Sequence, residues 1–259
     1  NILVTMYGKS GIGKSSLLQA GLFPKLRDND YFPVYIRLGN DNTPGLTYAK
    51  MIVDTINAEL CKAGFTAVVP DNAVAGEEPE SSADDFLWHY FVTREFRGER
   101  GRVVFPVIVI DQFEELFFLD KQRLVTLLRQ VYMLIDDSSL SSSSLTESYV
   151  TNFRFLFSIR EDDFFRLEDV IERQRLVEMK YNRYRLVELN DNDAADVIMQ
   201  PAGNILKSDE EQLIVQRIIK EAKGDTGEIN SAILTLCIPA EIRHGNALDC
   251  DCIFVFNCT

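Results

Sequence analysis

One stretch of eight residues constrains this chain more than any other. Residues 8–15 read GKSGIGKS and fill every fixed position of G-x-x-x-x-G-K-[ST]. The apolar run ILVTMY at 2–7 precedes the stretch and reads as a buried strand. Leucines at 17, 18, 22 and 26 follow it at helical spacing, predicting a helix over 14–26. Strand, glycine loop and helix, in that order, are what a phosphate-cradling loop requires. Gly8, Gly11 and Gly13 let the backbone wrap closely with its N–H groups pointing inward. The start of the following helix adds a partial positive charge. Lys14 is placed to reach β- and γ-phosphates, and Ser15 to ligate Mg²⁺. Lys9, Ser10, Ile12 and Ser16 complete the candidate nucleotide-binding stretch. The alternative reading is a glycine turn before a helix that carries an exposed lysine.

A second motif stands about a hundred residues on. The β-branched run VVFPVIVI at 103–110 is the pattern of a strand covered on both faces, and it ends in Asp111-Gln112-Phe113-Glu114-Glu115. Pro106 removes one ladder donor, which predicts an irregularity there. A carboxylate at the C-terminal end of such a strand holds a nucleotide-bound metal, usually through water, which assigns Asp111 to Mg²⁺. A nearby glutamate orients or deprotonates the attacking water. Glu114 and Glu115 are both candidates, with Glu115 slightly preferred. The other of the two then complements a helix dipole.

The remaining pattern sets the architecture. Strands are expected over 32–38 and 153–159, and helices over 46–63, 86–96, 123–135, 162–174, 190–200, 208–223 and 228–237. Asp84 or Asp85 is expected to cap the 86–96 helix, and Ser208 with Glu211 forms a capping box. Residues 69–82 are acidic and rich in turn formers, and 136–148 are a serine-rich flexible insertion. Strand and helix alternate through the first two-thirds, and the last third is helical. The expectation is α/β: a three-layer domain with a mostly parallel sheet over 1–184, then a small helical subdomain over 185–237.

Composition excludes several classes. With 27 Lys plus Arg against 40 Asp plus Glu, the net charge is −13, so a broad nucleic-acid-binding face is not expected. Seventeen Phe and nine Tyr carry too much apolar surface for a disordered chain. The longest apolar runs fall far short of the roughly 20 residues a spanning helix needs, so no membrane partner is expected. The five cysteines (61, 237, 250, 252 and 258) are odd in number and sparse, which suits a reducing cytoplasm. Cys250, Cys252 and Cys258 lack the spacing of paired zinc knuckles. His89 is expected to pack beside Trp88.

The motifs resemble the novel STAND NTPases, signal-transduction ATPases with numerous domains. The similar segments are YGKSGIGKSSLLQAGLFPKL, FLWHYF, PVIVIDQFEELFF, FLFSIREDDFFRLEDV, NRYRLVELNDNDAADVIMQPA and GEINSAILTLC, in order, over residues 2–237. The resemblance implies an additional-strand P-loop core in which the SIR strand lies between the two motif strands. Arg160 then ends that strand as a γ-phosphate sensor; its alternative is a surface ion pair with Glu161 or Asp162. Pro201 resembles a proline that contacts the base, although Gln200 replaces the usual preceding glycine. Its alternative is a helix stop. The implied cofactors are ATP, ADP after hydrolysis, and Mg²⁺. The implied activity is slow hydrolysis in a nucleotide-dependent signalling switch that self-associates or assembles within a larger protein. A constitutive P-loop ATPase or kinase, or a nonfunctional remnant, are the alternatives. Residues 238–259 depart from the family and are read as an atypical tail, truncated or frameshifted, with the chain holding the NTPase core only.

Overall fold

A computed structural model describes residues 2–39, 43, 45–69, 85–98, 101–136, 153–202 and 209–223. The chain divides into two compact units. Unit 1 comprises Asn1–Tyr7 and Pro24–Arg185, and unit 2 comprises Gly8–Phe23 and Leu186–Thr259.

Among the described residues, unit 1 is built on a seven-stranded sheet. Its strands are β1 (Leu3–Gly8), β2 (Tyr31–Ile36), β3 (Phe65–Val68), β4 (Glu95–Gly98), β5 (Val103–Ile110), β6 (Arg154–Arg160) and β7 (Arg183–Arg185). The order is β3-β4-β5-β6-β1-β7, with β2 also paired to β5. The pairs β2·β5, β5·β6 and β1·β7 are parallel, while β3·β4 and β4·β5 are antiparallel. The strand carrying SIR therefore lies between the two motif strands, as the resemblance implies.

Val107 to Ile110 are all buried, without alternation, so both faces of the sheet are covered there. Pro106 is accommodated by a change of partner. On the β5 edge away from β2, pairing with β4 ends at Val104 and pairing with β6 starts at Val107. Phe105 and Asp111 send their N–H groups toward the β2 side. By alternation the position of the missing Pro106 donor faces the gap between β4 and β6.

The helices of unit 1 are α2 (Phe23–Arg27), α3 (Tyr48–Lys62), α4 (Phe86–Val92), α5 (Lys121–Ile135) and α6 (Phe164–Gln174). α3 starts at Thr47, whose hydroxyl accepts from Lys50 N, and α5 starts at Asp120, which accepts from Gln122 and Arg123 N. Their apolar stripes, Ile52, Ile56 and Leu60 on α3 and Leu124, Leu128 and Val131 on α5, join one core with Val34, Ile108 and Phe157.

Three expectations are corrected. The helix expected over 86–96 ends at Val92, where the Thr93 hydroxyl donates back to His89 O and competes with the ladder. Phe96 belongs instead to β4. Strands β3, β4 and β7 escape a sequence reading because each is three or four residues long and forms only against its partner. Asp85 precedes α4 without a side-chain cap, its carboxylate lying 3.4 Å from His89 Nε2. His89 also packs edge-on to Trp88, with ring centroids 5.2 Å apart.

Among the described residues, unit 2 contains α1 (Lys14–Ser16), which continues as a π turn over Leu17–Leu22, and the helices α7 (Asp191–Ala202) and α8 (Asp209–Lys223). The helix expected over 14–26 is thus widened in its middle. Pro24 has no N–H to return to the helix, and Phe23 N bonds Leu18 O five residues back. Most of the 69–82 loop, nearly all of the serine-rich insertion, Ser208 of the capping box, the 228–237 helix and the 238–259 tail lie outside the described residues, as do Cys237, Cys250, Cys252 and Cys258.

Candidate functional site

The glycine loop leaves β1 at Gly8. Gly11 (φ 77°) and Gly13 (φ 93°) occupy the left-handed region that only glycine enters readily. Gly13 is the cap residue of α1, and Leu17 N bonds its carbonyl at 2.8 Å. A side chain at Gly8 would meet Leu186 O at 2.8 Å, so the chain after β7 closes one side of the loop within unit 2. Lys9 is ion-paired to Glu188 at 2.7 Å. The Lys14 ammonium donates to Gly8 O at 2.8 Å and to Lys9 O at 3.0 Å, which folds the lysine over the loop's own carbonyls. Ser10 and Gly11 are exposed, Ile12 and Ser15 are half-buried, and Ser16 is buried. Pro201 lies in the last turn of α7, and its side chain is outside the described residues.

In unit 1 the acidic motif forms a turn at the C-terminal end of β5. Asp111 is 2% exposed. Its Oδ2 accepts the Tyr35 hydroxyl at 2.5 Å and lies 3.9 Å from Arg37. Burial, then the bond to Asp111, pushes the Tyr35 phenol above its ordinary pKa. Gln112 is left-handed at φ 55°, which turns the chain sharply into the 3₁₀ helix Phe113–Phe118. Its amide, oriented by its partners, accepts from Arg37 at 3.0 Å and donates to Glu115 Oε1 at 2.8 Å. Glu115 is exposed, whereas Glu114 is buried and accepts the Arg160 backbone N–H at 3.2 Å.

The two glutamates of the motif therefore face different surroundings. Arg160 ends β6 with its side chain exposed. Glu161 is taken by Arg185 at 2.6 Å, and among the described residues the Arg160 guanidinium pairs with no carboxylate.

Tyr35, Arg37 and Gln112 were missed by the sequence reading. The signal for the first two was present: FPVYIRL ends in a phenol and a guanidinium at the strand end where α/β sheets bind ligands.

Taken each in its own unit, Asp111 at the end of β5 and Ser15 in the glycine loop offer a hard oxygen of the kind Mg²⁺ takes, and Mg²⁺ in nucleotide sites uses one or two carboxylates with phosphate and water rather than an all-protein cage. Among the described residues no group of three or more His, Cys, Asp or Glu is gathered for a metal.

A mostly parallel sheet with β6 between β5 and β1, and a glycine loop running from β1 into a helix, define an α/β P-loop NTPase, a nucleotide-binding protein. Solved structures agree on the fold. A Walker-type ATPase of Pyrococcus abyssi matches at 13% identity and TM-score 0.51, over 94% of this chain and 63% of its own. The ORC2 protein of Aeropyrum pernix, solved as ADPNP-ADP complexes, matches at 14% identity and TM-score 0.51, over 93% of this chain and 57% of its own. This chain thus spans less than two-thirds of the length of either. No curated protein matches it. The chain belongs to the Novel STAND NTPase 1 family, whose profile matches residues 1–235. No helix among the described residues is long and apolar enough to cross a membrane.

Proposed function

We propose that this chain is the ATP-hydrolysing switch of a larger signalling assembly, built as an NTPase core over 1–184 and a helical subdomain over 185–237. Residues 8–16 hold the phosphates, Lys14 neutralises β- and γ-phosphate charge, and Ser15 and Asp111 hold Mg²⁺. The metal would neutralise charge developing on the transferred phosphoryl group. Glu114 is the stronger candidate for orienting the attacking water, because it is buried and anchored to the sensor strand, while Glu115 is exposed and held by Gln112. Pro201 is retained as a base contact.

One observation carries the switch reading. Glu114 bonds the backbone of Arg160, so the acidic turn and the sensor strand end move as one piece, while the Arg160 guanidinium remains available for a third phosphate. A γ-phosphate contact of that kind distinguishes ATP from ADP and drives a change of assembly state.

Titrating ATP and ADP, each with Mg²⁺, into the chain and into Lys14→Ala by calorimetry tests the reading, with phosphate release and size followed in the same samples. Binding lost in Lys14→Ala, slow release and association with ATP but not ADP are expected. Fast turnover without association turns the reading into a constitutive ATPase. Absence of binding in the folded, unmutated chain overturns it.

A further inference from the structure

We propose that Tyr35 is a positioning residue that sets the orientation of the Asp111 carboxylate for its metal, with Arg37 setting Tyr35 in turn. The inference rests on the reading of Asp111 as the Mg²⁺ carboxylate.

The arrangement follows from register. Tyr35 stands opposite Val109 and Ile36 opposite Ile110, so Tyr35 and Asp111 share a face of the sheet as diagonal neighbours. That diagonal is too long for most polar side chains and suits a phenol. Asp111 N is also fixed to Ile36 O at 3.0 Å, so β2 holds both the backbone and the side chain of this aspartate. The Tyr35 hydroxyl gives its proton to Oδ2 at 2.5 Å, and Arg37, two residues on, just past β2 and on the same face, stands 3.9 Å from the same Oδ2. Guanidinium, hydroxyl and carboxylate form one cluster on that face.

A carboxylate on two rotatable bonds explores several orientations, and one metal geometry uses one of them. Holding Oδ2 by a neutral donor removes that freedom and leaves the negative charge in place for the cation. Arg37 at 3.9 Å makes no direct bidentate pair with Asp111, which would compete with a metal for the same charge. Partners that orient a metal ligand in this way typically alter metal affinity by about 10- to 100-fold.

The test measures ATP affinity by calorimetry in EDTA and across Mg²⁺ and Mn²⁺ titrations. Tyr35→Phe is expected to bind ATP in EDTA as the unmutated chain does. It is expected to need roughly tenfold more Mg²⁺ or Mn²⁺ for the half-maximal gain in affinity. 4-Aminophenylalanine at position 35, which restores an N–H donor on the same ring, is expected to recover most of the loss. In an Asp111→Asn background, Tyr35→Phe is expected to have no further effect. Arg37→Gln, at a half-exposed position that folding tolerates, raises the metal midpoint in the same direction by a few-fold and keeps the test decisive if Tyr35→Phe does not fold.

An unchanged metal midpoint in the position-35 variant or in Arg37→Gln overturns the proposal, as does an equal loss of affinity with and without metal. Metal-independent ATP binding in the unmutated chain instead overturns the assignment of Asp111, and the proposal with it.

Discussion

Glu114 reaches from the turn after β5 to the end of β6, where its Oε2 accepts the backbone N–H of Arg160 at 3.2 Å. The two residues are 46 positions apart in sequence and belong to two different motifs. The bond joins the turn that carries Asp111 to the residue assigned to sense the γ-phosphate. Because it uses the Arg160 backbone, it fixes where the guanidinium starts and not where it ends.

This geometry separates the roles of the two glutamates. Glu114→Gln keeps an oxygen for the Arg160 N–H and removes the proposed base. It is expected to bind ATP normally while phosphate release falls about 100-fold or more. Glu115→Gln is expected to stay within a few-fold of the unmutated chain. Single-turnover phosphate release on both variants checks this, and the reverse ranking would move the base to Glu115.

The turn is also held from beneath. Phe113 stacks on Phe157 with centroids 4.4 Å apart, and both rings are fully buried. Phe157→Ala is expected to cost about 3–5 kcal/mol in denaturant unfolding. Nucleotide binding then weakens in the folded fraction, because the acidic turn loses its support on β6.

Alkaline pH should weaken the fold through its tyrosines. Burial raises the pKa of Tyr35, Tyr48 and Tyr90, with the Asp111 bond adding to it at Tyr35. The folded state therefore keeps its phenol protons to higher pH than the unfolded chain does. That stability is full below the unfolded value of about 10 and is lost as pH rises through the folded values. Melting temperatures between pH 8 and 11 are expected to fall at the alkaline end, with the phenolate absorbance of Tyr35, Tyr48 and Tyr90 appearing late and together with unfolding. Early ionisation of all nine tyrosines without unfolding would contradict this.

A control lies at the start of α5. Asp120 accepts two backbone N–H groups there, at 2.9 and 3.0 Å. Asp120→Ala is expected to cost about 1 kcal/mol of stability, with ATP binding and turnover unchanged. A drop in turnover larger than the loss of folded protein would show that the cap is coupled to the nucleotide site.

By itself the sequence determined the local chemistry. A glycine loop between a strand and a helix has one well-suited ligand class, and GKSGIGKS is legible without any partner because its geometry lies within a few consecutive residues. The same holds for VVFPVIVI followed by Asp111, where a β-branched run dictates a strand and the first charge marks its end. Tertiary structure decided what those residues touch. Tyr35 meets Asp111 across 76 positions and Glu114 meets Arg160 across 46, through parallel pairings whose register no local pattern records. The short strands β3, β4 and β7 were decided in the same way, since three or four residues carry too little periodicity to declare themselves and are extended only because a neighbour satisfies their backbone. The difference between Glu114 and Glu115 is of this kind too. Adjacent residues of one type look alike in sequence, and the left-handed turn at Gln112 leads one into the protein and leaves the other on its surface.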